Sequence, residues 1–258
     1  GAVLPLNANQ CAEAMVNMAR NGASINDIKQ EFPAIAQAST AAGEDINTTA
    51  GVVQEAMNIW KGSLQSPQQA AAIIVQTANA SNASIGDMQQ ALATIGPTAN
   101  MAGMNMQTTA TAIGLLTNHG FSAAQASDDL NHAITQMLAP SAQAKKEMNE
   151  LGLSSTDSSG KMKPFPQILQ EVAAKTDKMG DAQKTAALKT MFGASGMKAF
   201  APLLDAVKDK SGSVTTSWDA FSSSMDKAAG TTQRATQTLS SQANEMQQNI
   251  GSKIEQVG

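Results

Sequence analysis

Apolar residues recur along this chain at spacings of three and four, and nowhere do they alternate with polar ones for the length of a strand. The pattern predicts an all-α protein. It also repeats. NGASINDIKQEF at residues 21–32 returns as SNASIGDMQQAL at residues 81–92, sixty positions later. At the same offset Ile35 answers Ile95, Ala42-Gly43 answers Ala102-Gly103, and Thr48-Thr49-Ala50 answers Thr108-Thr109-Ala110. The apolar positions keep step, Ile28 with Met88, Phe32 with Leu92 and Ile46 with Met106. What returns is therefore a buried pattern with its punctuation.

The punctuation is chemical. Ser24-x-x-Asp27 and Ser84-x-x-Asp87 each place a hydroxyl at a helix N-cap and a carboxylate one turn in, where free amides and the helix dipole favour both. Gly43 and Gly103 are expected to end those helices, glycine tolerating a left-handed turn, and Asp45 and Asn105 to cap the next ones. Residues 24–60 and 84–120 are thus two equivalent helical hairpins. Ile25, Ile28, Phe32 and Ile35 are expected to be buried like Ile85, Met88, Leu92 and Ile95. A weaker third echo sets Gly120 and Ser122 in the places of Gly22 and Ser24.

Further stops are read at Gly62, Ser66-Pro67, Gly96-Pro97, Pro140 and Gly152, with Pro67 suited to a first helical position. LSSTDSSGKMKP, residues 153–164, is the most loop-like stretch. Helices resume near Phe165 and Asp181, and Gly193 and Gly196 flank a short connection before a helix over 197–210. Residues 1–210 read as one compact helical domain, the repeats occupying about 21–60 and 81–120. Beyond it, Val214, Trp218, Phe221, Met225, Ala228, Thr232, Ala235, Leu239, Gln242 and Met246 alternate steps of four and three, a heptad seam continued with one extra step of four through Ile250 and Ile254 to Val257. Residues 211–258 are expected to form a long amphipathic helix. It either packs on its own domain or forms a weak coiled coil, since the seam is polar and Gly230 interrupts it.

Composition adds constraints. The 258 residues include fifteen Met, six Phe, two Trp and no Tyr, a supply suited to close helix packing and poor in stacking platforms. Seventeen basic and twenty-one acidic residues leave a net charge of −4, which argues against a general nucleic-acid surface. From Gly62 to Ala144 there is no Lys, Arg or Glu, so solubility there rests on amides and hydroxyls. Basic residues concentrate between Lys145 and Lys210 but are mixed with acidic ones, a solvated face. The longest apolar run, near Ala70 to Val75, is too short to span a bilayer. One cysteine, Cys11, excludes an internal disulfide framework and fits assembly in a reducing cytoplasm. A chain opening on Gly1 has the look of a piece of something longer.

Candidate chemistry is sparse. His119 and His132 have no metal-ligand spacing around them, and Asp128-Asp129 point apart on a helix. Cys11 reads as a small buried thiol without a nearby base. The Gly-x-x-Gly at 193–196 lacks the continuation of a phosphate loop. Met101, Met104 and Met106 read as core filler in preference to an adaptable binding surface. We therefore assign no catalytic, cofactor-binding or metal residue, no cofactor and no enzyme activity.

The order of motifs carries a resemblance. SNASIGDMQQALATIGPTANMAGMNMQTTATAIGLLTNHGFSAAQASDDL, then Pro140, LGLSSTDSSGK, ILQEV and MFGASGMKAFAPLL follow one another as in the core region of the tail tape measure proteins of long-tailed bacteriophages, over about residues 20–205. The resemblance implies a structural protein of the virion, lying in the lumen of the tail tube and assembled in the host cytoplasm. It implies that the protein templates tube polymerisation, sets tail length and leaves during genome ejection. The implied partners are the tail tube protein, tail assembly chaperones and baseplate or tail-tip proteins, with homo-oligomerisation, contact with the host membrane at ejection and no specific nucleic-acid binding. A membrane-active helical protein acting at genome delivery is the alternative. A cell-wall hydrolase module, which such proteins can carry, finds no matching constellation here.

Overall fold

A computed structural model describes residues 5–257, with side chains through residue 253. Among the described residues there are twelve helices. The first six are α1 (Ala8–Arg20), α2 (Ile25–Ala42), α3 (Ile46–Trp60), α4 (Pro67–Ala80), α5 (Ile85–Met101) and α6 (Met106–Asn118). They are followed by α7 (Ala123–Leu138), α8 (Ala142–Glu150), α9 (Phe165–Thr176), α10 (Asp181–Lys208), α11 (Trp218–Ala229) and α12 (Thr232–Val257). The protein is all-α, the one β feature among the described residues being an isolated bridge between Thr156 and Met162 in the loop before α9.

The sixty-residue offset holds helix by helix and extends further than the sequence match. Not only α2 and α3 but also α1 recurs, as α4, so the unit has three helices. Both copies begin their second helix on a reciprocal cap. The Ser24 hydroxyl accepts from the Asp27 amide at 3.1 Å while the Asp27 carboxylate accepts from the Ser24 amide at 3.0 Å. Ser84 and Asp87 repeat this at 3.1 and 3.2 Å. Asp45 and Asn105 then cap α3 and α6 by accepting from the Thr48 and Thr108 amides.

The helix ends match as well. Gly43 (φ +64°) and Gly103 (φ +75°) turn left-handed, and the next amides, of Glu44 and Met104, reach back to the carbonyls of Ser39 and Ala99. This double closure satisfies carbonyls that the helix itself leaves free. The third echo has the same build: Gly22 and Gly120 share φ +96°, Phe121 reaches back to Leu116 as Ala23 does to Met18, and Ser122 caps α7.

By density of contacts the chain divides into two units. One comprises Gly1–Asn79, Ser84–Gln89 and Ser224–Gly258; the other comprises Ala80–Ala83 and Gln90–Ser223.

In the first unit α2 packs on α3 and α12, and α1 lies against both α2 and α3. The expectation of equal burial in the two copies fails. Ile85, Met88, Leu92 and Ile95 are all buried, whereas of their counterparts only Ile35 is. Ile28 and Phe32 are half-buried and Ile25 is 75% exposed, against 2% for Ile85. At the start of the helix the neighbour differs. α3 lies over the first turn of α5, with Thr48 Cγ2 3.6 Å from where a side chain at Gly86 would begin, and the Gln89 amide seated on Gly51. The first turn of α2 stays open to solvent.

In the second unit α7 and α10 cross so closely that a Cβ on Gly196 would lie 3.0 Å from the Ala133 Cα. Aromatic rings fill the rest of that core: Phe192 stacks on Phe200 at 3.8 Å, and Phe165 meets both Phe200 and Trp218 at 6.0 Å. α10 is two segments joined at Gly193, whose φ and ψ of 76° and 169° are not helical. The bend therefore falls at Gly193 alone, with Gly196 inside the helix. Pro97 likewise ends nothing and sits within α5.

The C-terminal seam is divided too. α12 is the long amphipathic helix, but Trp218–Ala229 forms a separate helix that turns back at Gly230-Thr231. Trp218, Phe221, Met225, Ala235 and Leu239 of the seam are buried, and Val214 and Ile250 are exposed. The side chains of Ile254 and Val257 lie outside the described residues.

Candidate functional site

The stretch without Lys, Arg or Glu is poor in charge because much of it is interior. Gln69 through Val75 of α4 and Thr109 through Thr117 of α6 are buried without a break, segments covered on every side. Their threonines return hydrogen bonds to their own helices, Thr77 to Ile73 O, Thr109 to Asn105 O, Thr111 to Gln107 O and Thr117 to Gly114 O. Buried and with their protons so donated, these hydroxyls offer a ligand no donor.

The most site-like hollow belongs to the first unit, a cleft of about 260 Å³ between α2 and α3. Asp27 and Glu31 enter it from successive turns of α2, and Gln54, Asn58 and Lys61 from the far wall. Its two carboxylates are pushed apart. Burial raises the Glu31 carboxyl above the ordinary glutamate range, with the neighbouring Asp27 charge adding and Lys61 opposing. Hydrogen bonds from the Ser24 hydroxyl and amide hold Asp27 below the ordinary aspartate range. Two carboxyl groups displaced in opposite directions resemble an acid–base pair. Here, however, Asp27 makes the same cap that Asp87 makes sixty residues on, so its shift has a structural cause.

A second hollow, of about 140 Å³ in the second unit, brings His119 to Asp205 and Asp209. Asp209 is committed there: it accepts from the Thr216 hydroxyl at 2.6 Å and the Ser211 amide at 2.8 Å, and these bonds lower its pKa. Among the described residues no group of three or more His, Cys, Asp and Glu is placed to hold a metal ion.

The residues singled out in the sequence are scattered. His132 is exposed and apart from His119's hollow, and Asp128 faces solvent while Asp129 is 2% exposed and accepts from the Gln125 amide at 2.7 Å. Cys11, expected to be buried, is half-exposed on α1. Met104 and Met106 are core residues, but Met101 is 76% exposed. The sequence missed Glu31 because its partial burial comes from the wall opposite, which no local spacing announces. Among the described residues no helix is long and apolar enough to cross a membrane.

Residues 1–193 match the model of the phage-related minor tail protein family. The chain belongs to that family. Over its full length it is 25% identical to the tape measure protein of Pneumococcus phage Dp-1, of which it covers 21%. Over 107 residues, 41% of the chain, it is 31% identical to the probable tape measure protein of Escherichia phage P2, covering 13% of that protein. No solved structure matches. Membership in the minor tail protein family makes this a structural component of a phage tail, and the chain corresponds to a small part of the tape measure proteins it matches.

Proposed function

We propose that this chain is a folded helical segment of a tape measure protein, lying in the tail tube lumen, where the parent protein templates tube polymerisation, sets tail length and is released during genome ejection. The observation that carries the reading is the full-length alignment with a protein named as a tape measure. The architecture supports it. A body of capped, closely packed helices with a charge-poor, largely interior stretch and hollows lined mostly by scaffold-forming groups fits a structural role without a catalytic step. Tail tube subunits, assembly chaperones and tip proteins are the partners this reading requires, with a second copy of the chain beside it in the tube.

The test is genetic. Removing these 258 residues in frame from the parent gene is expected to abolish tails or change their length, measured by negative-stain electron microscopy. Tails of unchanged number, length and infectivity would overturn the proposal.

A further inference from the structure

The heptad seam and the fold disagree about Gly230. Met225, Ala228, Thr232, Ala235, Leu239, Gln242 and Met246 step by three and four straight through it, as though one helix ran from Trp218 to the end of α12. The fold instead turns the chain at Gly230-Thr231, so that Lys227 of α11 and Glu245 of α12 line the same groove. The bend leaves the seam half-used, for Ala228, Thr232, Gln242 and Met246 are only half-buried.

The bend is held by polar groups. Gln69, 6% exposed, donates its amide to the carbonyls of Ala229 at 3.0 Å and Gly230 at 3.4 Å, the carbonyls that α12 would otherwise bond if the helix continued. The Gln65 side chain accepts from the Thr232 amide at 3.2 Å, and the Thr232 hydroxyl meets Ser66 at 2.8 Å. Arg234 pairs with Asp226 at 2.9 Å and the Thr238 hydroxyl bonds Ala228 O at 2.7 Å. Glycine is required where the chain turns: a Cβ at residue 230 would lie 2.5 Å from the Asp226 carbonyl oxygen. Among the described residues the buried apolar side chains of α12 are Ala235, Leu239 and Ala243, two of the three small.

We propose that Gly230 is a hinge, latched by Gln69, about which α11 and α12 convert from the folded-back pair into one continuous helix. The two states share the seam residues Met225, Ala235 and Leu239, which are buried in the bent one. In the bent state Ala229 and Ala243 stand in for the seam's own Ala228 and Gln242, and straightening restores the register. The device is a property of this chain alone and does not depend on the tail role.

The test uses the full chain with Cys11→Ser and nitroxide labels at Lys227→Cys and Glu245→Cys, read by pulsed and continuous-wave electron paramagnetic resonance. In the bent state the labelled helices lie side by side, with axes about 10 Å apart. In one helix the eighteen-residue separation becomes about 27 Å. Gly230→Ala with Gln69→Ala removes the latch, penalises the bend and favours helix, the last alone by about fivefold. The expected result is a new long distance with helix content by circular dichroism unchanged or raised. A distance that stays short overturns the hinge, and so does a long distance gained with a fall in helix content, which is unfolding. Should the double variant not fold, Gln69→Ala alone decides: a second, long distance supports the hinge, and a single short one overturns it.

Discussion

The first copy of the repeat, α1 to α3, and the second, α4 to α6, share the caps of their second and third helices, the glycine turn that ends the second, and nearly their lengths, yet differ in what they bury. Ile25 and Ile85 occupy the same position after the same serine cap, one 75% and the other 2% exposed. The difference teaches that capping is settled within a turn of chain, whereas burial is settled by whichever helix lies alongside. α5 has α3 over its first turn; α2 has solvent there. A repeated sequence therefore specifies a repeated element but not a repeated environment.

The largest separation between the copies is expected in their cores. Leu92→Ala removes a fully buried side chain and is expected to destabilise the protein by about 2–5 kcal/mol, by the cavity it leaves as well as the lost transfer energy. Phe32→Ala, at the matching but half-buried position, is expected to cost less than half as much despite its greater volume, because water already reaches the ring. Urea denaturation of both variants checks this, and equal losses would break the comparison.

The helix ends provide the opposite control. Alanine at Gly43 meets only Met246 Cε at 3.8 Å and at Gly103 meets nothing within 4 Å, so neither substitution creates a clash. Each loses only the freedom to turn left-handed, and Gly43→Ala and Gly103→Ala are each expected to cost about 1–2 kcal/mol. A difference between them as large as that between Leu92 and Phe32 would show that helix ends, too, are governed by their surroundings.

This division explains how much was legible in the sequence. The all-α class, Ser24 and Ser84 at the caps, and the glycine ends depend on residues one to five apart, and each could be read locally. The α1–α4 equivalence was hidden because packing preserved the helices while their side chains drifted, Met15 answering Val75 and Val16 answering Gln76. Pro97 was misread as a stop because its helix continues under tertiary support, Ile95 and Ala99 on either side being fully buried. The turn at Gly230 was ambiguous in principle, since steps of three and four describe a straight helix and a folded pair equally well until Gln69, some 160 residues away, is placed. The cleft is the extreme case. Asp27 was legible as a cap, but nothing within a turn of Glu31 indicates its burial.

The smallest expected effect is in that cleft, where the first copy carries a carboxylate that the second replaces with Ala91. The Glu31 carboxyl titrates above the ordinary glutamate value because burial disfavours its charge, and the Asp27 charge adds to this. For an acid with a folded pKa above its unfolded one, the unfolded state releases its proton first as pH rises. Stability is then highest below the ordinary glutamate range and declines as pH climbs through it, levelling off above the folded value. Asp27 runs the other way: its folded pKa is lowered, so its contribution is present above the ordinary aspartate range and is lost as pH falls through the folded value. The two trends are opposite in sign and adjoin, so over the acid-to-neutral range their net changes partly offset in the intact protein. Glu31→Gln, which keeps the shape and removes the titration, is expected to leave Asp27's trend exposed, with stability that rises more steeply from acid to neutral pH than in the parent chain. The shift is small because Glu31 is only half-buried and water screens its neighbours. Denaturant midpoints between pH 3 and 7 read it directly. A Glu31→Gln curve parallel to the parent's would mean that Glu31 titrates alike folded and unfolded, and that the cleft imposes on the first copy nothing the second lacks.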